Sequence, residues 1–149
     1  MHVAIRADGG PQIGYGHLVR TGALASELLD RGHEVTYATT TPECVREVCP
    51  DGVETELLPA REDPTPLREF VRDHADVTVT DSYLVDGAYQ QRLRDVSPLV
   101  VIADDTRHAI AADVLVNGNL YAADLECEVI GPQPEWCLGP DYLLLRSAI

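Results

Sequence analysis

The chain has 149 residues, 45% of them hydrophobic, which is enough for one domain with a core and too few for two. Its 25 acidic residues outnumber 11 basic ones, and the formal net charge of −14 excludes nucleic acid as the main partner, since binding a polyanion needs a basic surface. No apolar run approaches the roughly 18 residues of a membrane span. The N-terminus MHVAIRADGG also lacks the basic start and long apolar run of a signal peptide, so we expect a cytoplasmic protein.

The charged residues are unusual in kind as well as in number. All 11 basic residues are arginines, and the chain contains no lysine. An acidic surface without lysine is typical of proteins that stay soluble at molar salt, where repulsion between carboxylates is screened. We favour this halophilic interpretation over the alternative, an arginine-rich codon bias on an ordinary acidic protein.

The four cysteines do not predict a metal site. Their gaps, C-x4-C and C-x9-C, differ from the short C-x2-C knuckles of structural zinc sites. We expect reduced, partly buried thiols at Cys44, Cys49, Cys127 and Cys137.

Short β-branched runs alternate with amphipathic helical stretches along the chain. The runs VTVT and LVVIA consist almost entirely of apolar or β-branched residues, as expected for strands that are covered on both faces. This alternation predicts an α/β fold, a Rossmann-like doubly wound parallel sheet with right-handed crossovers. In chain order we predict strand 2–7, helix 17–31, strand 34–39, helix 42–48, strand 53–58, helix 66–74, strand 77–80, helix 86–96 and strands 99–103 and 114–117.

Polar side chains follow five of the predicted strands. Because ligands of doubly wound sheets bind at the carboxyl ends of the strands, these five loops are expected to form one site. The residues concerned are Asp8, Thr39 to Thr41, Asp81 to Tyr83, Asp104 to His108, and Asn117 to Asn119.

The loop ADGGPQIGYGH after the first strand is the strongest single site signal. Its glycines allow the backbone to approach a ligand, and the following helix offers free N–H groups and a positive dipole end. His17 lies in the first turn of that helix, where the dipole disfavours a cation and keeps the imidazole available as a base. Arg20, three residues on, is suited to hold a carboxylate or phosphate, or to pair with an aspartate. The alternative for His17 is a residue that only caps its helix.

The glycine spacing is not that of a dinucleotide or ATP site. The order G-G-x-x-x-G-x-G-H differs from G-x-G-x-x-G, and without lysine there is no Walker motif. We therefore predict no cofactor.

Carboxylates at the ends of buried strands commonly orient histidines or sugar hydroxyls. Asp105 is our candidate for this role, with a helix cap as the equal alternative. For Asp81 we favour the structural cap, and for Trp136 a packing role.

The motifs together resemble a known family. Arg6 and Asp8 form R-x-D, and Gly14, Gly16, His17 and Arg20 form G-x-G-H-x-x-R. Further matches follow in the order of the family's motifs. They are DSY at 81–83, ADD at 103–105 where the family usually has IDD, Asn117, and LGPDYLLLR at 138–146. The whole chain is thus similar to the start of the UDP-sugar hydrolases of the pseudaminic-acid pathway and the related spore-coat polysaccharide biosynthesis proteins.

This resemblance implies a fold, a reaction and a partner. Residues 1–149 would be a single Rossmann-like domain, the N-terminal half of a glycosyltransferase-B-type fold. A second domain, in cis or as a separate chain, would supply most of the uridine diphosphate pocket. The reaction would be hydrolysis of a UDP-linked amino sugar at its anomeric carbon, releasing UDP for surface polysaccharide or pseudaminic-type nonulosonic acid synthesis.

The resemblance also assigns roles to individual residues. His17 would position or activate the water, and Asp8 or Asp105 would orient His17 or sugar hydroxyls. The remaining candidates would contact the substrate, either through its amide and hydroxyl groups or through its negative charge. They are Arg6, Gly14, Tyr15, Gly16, Arg20, Tyr83 and Asn117.

Two other functions share these motifs and stay open. A glycosyltransferase of the same architecture would use a sugar hydroxyl in place of water as the acceptor. A non-catalytic binding module is the third reading, and motif matching by itself does not separate the three.

Overall fold

The computed structural model describes residues 1–142 and 144, and it has the predicted α/β architecture. Each predicted strand and helix is present within a few residues of its expected bounds. The elements are β1 His2–Ala7, α1 Gly16–Asp30, β2 Glu34–Thr39, α2 Pro42–Val48, β3 Glu54–Leu57, α3 Thr65–His74, β4 Val77–Asp81, α4 Gly87–Arg94, β5 Leu99–Ile102, β6 Val114–Asn117 and β7 Glu135–Leu138.

The seven strands form one parallel sheet in the order β3-β2-β1-β4-β5-β6-β7. Strand β7 was not predicted from the sequence, and it pairs in parallel with β6 at the edge of the sheet. Its four residues EWCL include no buried residue and lie between GPQP and GP, so the run is too short to indicate a strand. Trp136, expected to pack, lies on β7 with 36% of its surface exposed.

Helices cover both faces of the sheet, which confirms the doubly wound prediction. Leu18 of α1 and Val45 of α2 belong to one buried cluster, together with alternate residues of β1 such as Ile5. Leu67 of α3 and Leu93 of α4 belong to the other cluster, on the opposite face. Among the described residues, no helix is long and apolar enough to cross a membrane.

The order of the strands reverses between β1 and β4, which are neighbours in the sheet. From β1 the chain proceeds outward through β2 to β3, and then returns to add β4 on the other side of β1. The register places Ala7 beside Asp81, so the carboxyl ends of β1 and β4 open at the same point. Ligands of open α/β sheets bind in the crevice at such a reversal. That the domain is half of a glycosyltransferase-B-type fold stays a prediction.

Candidate functional site

The glycine loop between β1 and α1 folds back on itself and sets the start of α1. Gly10 and Gly14 exchange two backbone hydrogen bonds of 3.2 and 2.7 Å. Their φ values of +149° and +84° are ones that favour glycine. Gly9 packs so closely on the helix that an added Cβ would lie 2.5 Å from Cδ1 of Leu18. The loop thereby places His17 in the first turn of α1, beside the end of β4.

His17 is held by a buried carboxylate. Its Nδ1 lies 2.6 Å from Oδ1 of Asp81, the last residue of β4, which is 1% exposed. A carboxylate partner makes Nδ1 the donor and leaves Nε2 as the acceptor. No described residue forms a hydrogen bond with Nε2. The pair has the arrangement of a general base whose ring is oriented by an acid.

The partner of His17 is therefore Asp81, which corrects the expectation that Asp8 or Asp105 orients it. The Asp105 carboxylate pairs with Arg107 at 2.7 Å on the exposed side of its loop. Asp81 was assigned to a structural cap because the sequence does not reveal that β4 lies next to β1. That adjacency brings the end of β4 to the first turn of α1.

Arg20 joins Asp81 to Asp104. Its Nε and Nη2 lie 2.7 and 2.6 Å from the two oxygens of Asp81, and its Nη1 donates to Asp104. Burial opposes the charge of Arg20, but hydrogen bonds to both carboxylates outweigh it and raise the pKa. Burial likewise opposes the charge of Asp104, and donation from Arg20 lowers the pKa of that carboxyl. Arg20 is thus committed to neutralising two acids, and it holds Asp81 in position for His17.

Tyr83 completes this network. Its hydroxyl donates to Oδ2 of Asp104 at 2.7 Å, and its ring meets the ring of His17 edge-on, with the centroids 4.7 Å apart. The guanidinium of Arg107 lies 3.7 Å from the centroid of the Tyr83 ring. Tyr83 is thereby held between the histidine and the loop that follows β5.

Arg6 lies behind the site and lines neither cleft, in contrast to its expected substrate role. It is 0% exposed, and its Nη1 donates to Oδ1 of Asp8 at 2.7 Å. The Thr39 hydroxyl and the Thr40 amide donate to the same oxygen at 2.9 and 2.8 Å. Burial acts to raise the pKa of Asp8, but the Arg6 hydrogen bond and charge outweigh it and lower that pKa.

Two clefts open beside His17. The larger, of about 340 Å³, is flanked by Asp8 on one side and Tyr83 on the other. The smaller, of about 160 Å³, lies toward Arg20 and Asp104. His17, Ile13 and Tyr83 line both clefts; the larger adds Asp8, Gln12, Arg61, Ser82 and Leu84, and the smaller adds Gly16, Arg20 and Asp104.

The structure brings together five of the ten residues proposed from the sequence: Asp8, Gly16, His17, Arg20 and Tyr83. The other five do not line either cleft. Gly14 and Tyr15 shape the loop, and the side chain of Asn117 accepts from the Asn119 amide at 3.1 Å instead of facing the clefts. Arg6 and Asp105 are placed as described above. Arg146, the last residue of the motif that begins at 138, lies outside the described residues.

Arg61 lines the larger cleft and was not predicted from the sequence, whereas Asp104 was placed among the loops of the site but was given no role. Arg61 lies in the loop between β3 and α3, whose sequence PAREDP carries no motif. Asp104 is adjacent to Asp105 in sequence, and only the position of Arg20 distinguishes the two. Within residues 1–142 and 144, no three histidine, cysteine or acidic side chains are grouped as metal ligands.

Comparison with known proteins supports the fold and extends no further. No protein-family model matches the chain. An uncharacterized protein from Methanocaldococcus jannaschii is 23% identical over 154 residues, covering 99% of this chain and 31% of its own length. A structural-genomics crystal structure of a protein from Lactobacillus casei superposes with a TM-score of 0.51 at 19% identity, covering 73% of this chain and 51% of that one. The chain thus has a Rossmann-like α/β fold and spans about a third of the length of its archaeal relative.

Proposed function

We propose that this domain carries the catalytic base of a hydrolase that cleaves a UDP-linked amino sugar at its anomeric carbon. The observation that carries the proposal is the His17–Asp81 pair, at the reversal of strand order and beside an open cleft. In the proposed step Nε2 of His17 accepts a proton from water as the water oxygen bonds to the anomeric carbon. The bond from that carbon to the diphosphate oxygen breaks, and UDP leaves with the electron pair.

The sugar is the part of the substrate that fits this domain. A volume of about 340 Å³ is at the small end of ligand pockets and suits a monosaccharide better than a whole nucleotide sugar. Ile13 and Leu84 offer apolar surface for the ring, while Asp8 and Gln12 offer polar groups for its substituents.

The charges near the clefts argue that the diphosphate is bound elsewhere. Arg6 is paired with Asp8, Arg20 with Asp81 and Asp104, and Arg107 with Asp105. A diphosphate needs several free donors or positive charges. The start of α1 supplies only a partial positive charge, and the one further arginine among the described residues of the larger cleft, Arg61, lies 3.9 Å from the anionic Oδ2 of Asp8, which repels a phosphate. We therefore propose that a second domain, in the same or a separate chain, binds the UDP. The greater length of the archaeal relative is compatible with such a domain.

UDP release from a panel of UDP-amino sugars at molar KCl tests the proposal. The chain alone and a full-length form, in which it is joined to the proposed second domain, are compared with their His17→Gln variants. We expect release from the full-length form and a fall in kcat of about 100-fold or more in the variant, the usual contribution of a general base. His74→Gln is the matched control, because His74 is exposed at the end of α3.

Two results would reject the hydrolase. One is release that occurs only when a sugar acceptor is added, with a glycoside as the product, which would indicate a transferase. The other is a His17→Gln variant with a kcat like that of His74→Gln, which would show that His17 is not the base.

A further inference from the structure

One oxygen of the Asp8 carboxylate is unused. Three donors converge on Oδ1, from Arg6, Thr39 and Thr40. Oδ2 accepts no hydrogen bond from any described residue, and Nε of Arg61 forms a longer ion-pair contact with it at 3.9 Å. The side chain of Asp8 is only 4% exposed and lines the larger cleft. A buried anionic oxygen therefore faces this cleft with an acceptor site free.

Arg61 complements it as an unused donor. Arg6, Arg20 and Arg107 all donate hydrogen bonds to carboxylates, whereas the Arg61 guanidinium donates none within the part of the chain that the structure describes. Its side chain is 39% exposed and lines the same cleft as Asp8. Its backbone is anchored, because its carbonyl oxygen accepts from Nη2 of Arg6 at 3.3 Å. The buried Arg6 thus contacts both partners.

The distance of 3.9 Å between Oδ2 of Asp8 and Nε of Arg61 suits a ligand atom that both donates and accepts a hydrogen bond. An oxygen about 2.8 Å from both Oδ2 of Asp8 and Nε of Arg61 would subtend an angle of about 90° between them, an acceptable geometry for two hydrogen bonds. Such an oxygen must donate to Asp8 and accept from Arg61, which a hydroxyl does. A carboxylate or phosphate would be repelled by Asp8, and an ammonium by Arg61. A trans amide presents its N–H and C=O on opposite sides and cannot satisfy both.

We propose that Asp8 and Arg61 form a subsite for one hydroxyl group of the sugar in the larger cleft. Asp8 accepts the hydroxyl proton, and Arg61 donates to the hydroxyl oxygen. That the ligand of this subsite is a sugar rests on the proposed function. The subsite requires a free hydroxyl at the position of the substrate that reaches Asp8 and Arg61. A sugar that is deoxy or O-methylated at that position should therefore bind more weakly.

The test compares hydroxyl-bearing sugars with their monodeoxy analogues. The probes are the methyl glycosides of N-acetylglucosamine and N-acetylgalactosamine and the monodeoxy forms of each, with affinities measured by ligand-observed NMR at molar KCl. The proteins are wild type, Arg61→Met and, as the matched control, Arg46→Met. Arg46 is exposed on α2 and lines neither cleft. Thermal unfolding of each variant checks that the fold is intact.

In wild type, removal of one particular hydroxyl should weaken binding about 10- to 100-fold, the effect of losing a hydrogen bond to a charged group. In Arg61→Met the same removal should weaken binding several-fold less than in wild type, because the Arg61 hydrogen bond is already lost and only the Asp8 hydrogen bond remains. Arg46→Met should discriminate as the wild type does.

Three results would overturn the subsite: no binding of any probe, equal affinity for every monodeoxy analogue in wild type, or discrimination as large in Arg61→Met as in wild type. A fourth result separates the two proposals. If the hydroxyl is discriminated through Arg61 but no UDP-sugar is hydrolysed by the full-length form, the subsite stands and the hydrolase falls.

Discussion

Replacing Asp81 by asparagine keeps the shape of the side chain and removes the charge that joins His17 to Arg20. Asp81 accepts three hydrogen bonds of 2.6 to 2.7 Å, one from His17 and two from Arg20. An amide has only one acceptor oxygen, so either orientation of its NH₂ group faces an N–H donor of Arg20. The substitution therefore leaves a guanidinium with one of its two carboxylate partners.

The expected loss of stability follows from this geometry. Breaking a fully buried ion pair by removing one partner costs about 3–5 kcal/mol. Arg20 keeps Asp104, and its side chain is 23% exposed, so we expect a smaller loss of about 2–3 kcal/mol for Asp81→Asn. For a domain of this size the melting temperature should fall by about 4–12 °C.

Thermal unfolding followed by circular dichroism measures this loss, with Asp105→Asn as the matched control. Asp105 and Arg107 form an ion pair with both side chains more than 40% exposed, so the control should lose no more than about 1 kcal/mol. In the UDP-release assay, Asp81→Asn should also lower kcat, because His17 loses the acceptor that fixes its ring. A melting temperature for Asp81→Asn equal to that of Asp105→Asn would refute the buried network.

Three further predictions concern the loop, the acidic groups and the net charge. Gly9→Ala should cost about 1–3 kcal/mol, because its Cβ would overlap Leu18, whereas Gly16→Ala meets nothing within 4 Å and should leave the melting temperature unchanged or slightly higher; equal effects would contradict the packing. The lowered pKa values of Asp8 and Asp104 mean that their charged forms stabilise the fold above the ordinary value of 3.8. That stabilisation is lost as the pH falls below 3.8 and through the lowered pKa values, so the melting temperature should drop there, and Asp8→Asn should reduce the drop; an unchanged drop would argue against Asp8. Raising KCl from about 0.1 M to about 2 M should raise the melting temperature by screening the net charge of −14, and a flat or falling response would reject the halophilic interpretation.

The local pattern of apolar, β-branched, glycine and proline residues was sufficient to predict most of the strands and helices. Strands such as VTVT and LVVIA lie in the middle of the sheet and consist of apolar or β-branched residues, and glycine or proline lies near the ends of several helices. Those features depend on neighbours in sequence, so reading along the chain locates them. The edge strand β7 has one paired side and no buried residue, and its four residues between glycine and proline are too short a run to distinguish it from a loop.

The sequence by itself determined the fold class, the glycine loop and the position of His17 at the start of a helix, because each depends on residues close together in the chain. Only the tertiary structure decided which acid serves the histidine. His17 and Asp81 are 64 residues apart and meet because β4 returns to lie beside β1. The same holds for Arg61, which reaches Asp8 from a loop that carries no motif, and for Arg6, whose burial turns an expected substrate contact into a structural one. Partner choice between distant residues depends on strand order, and strand order is not encoded in local pattern.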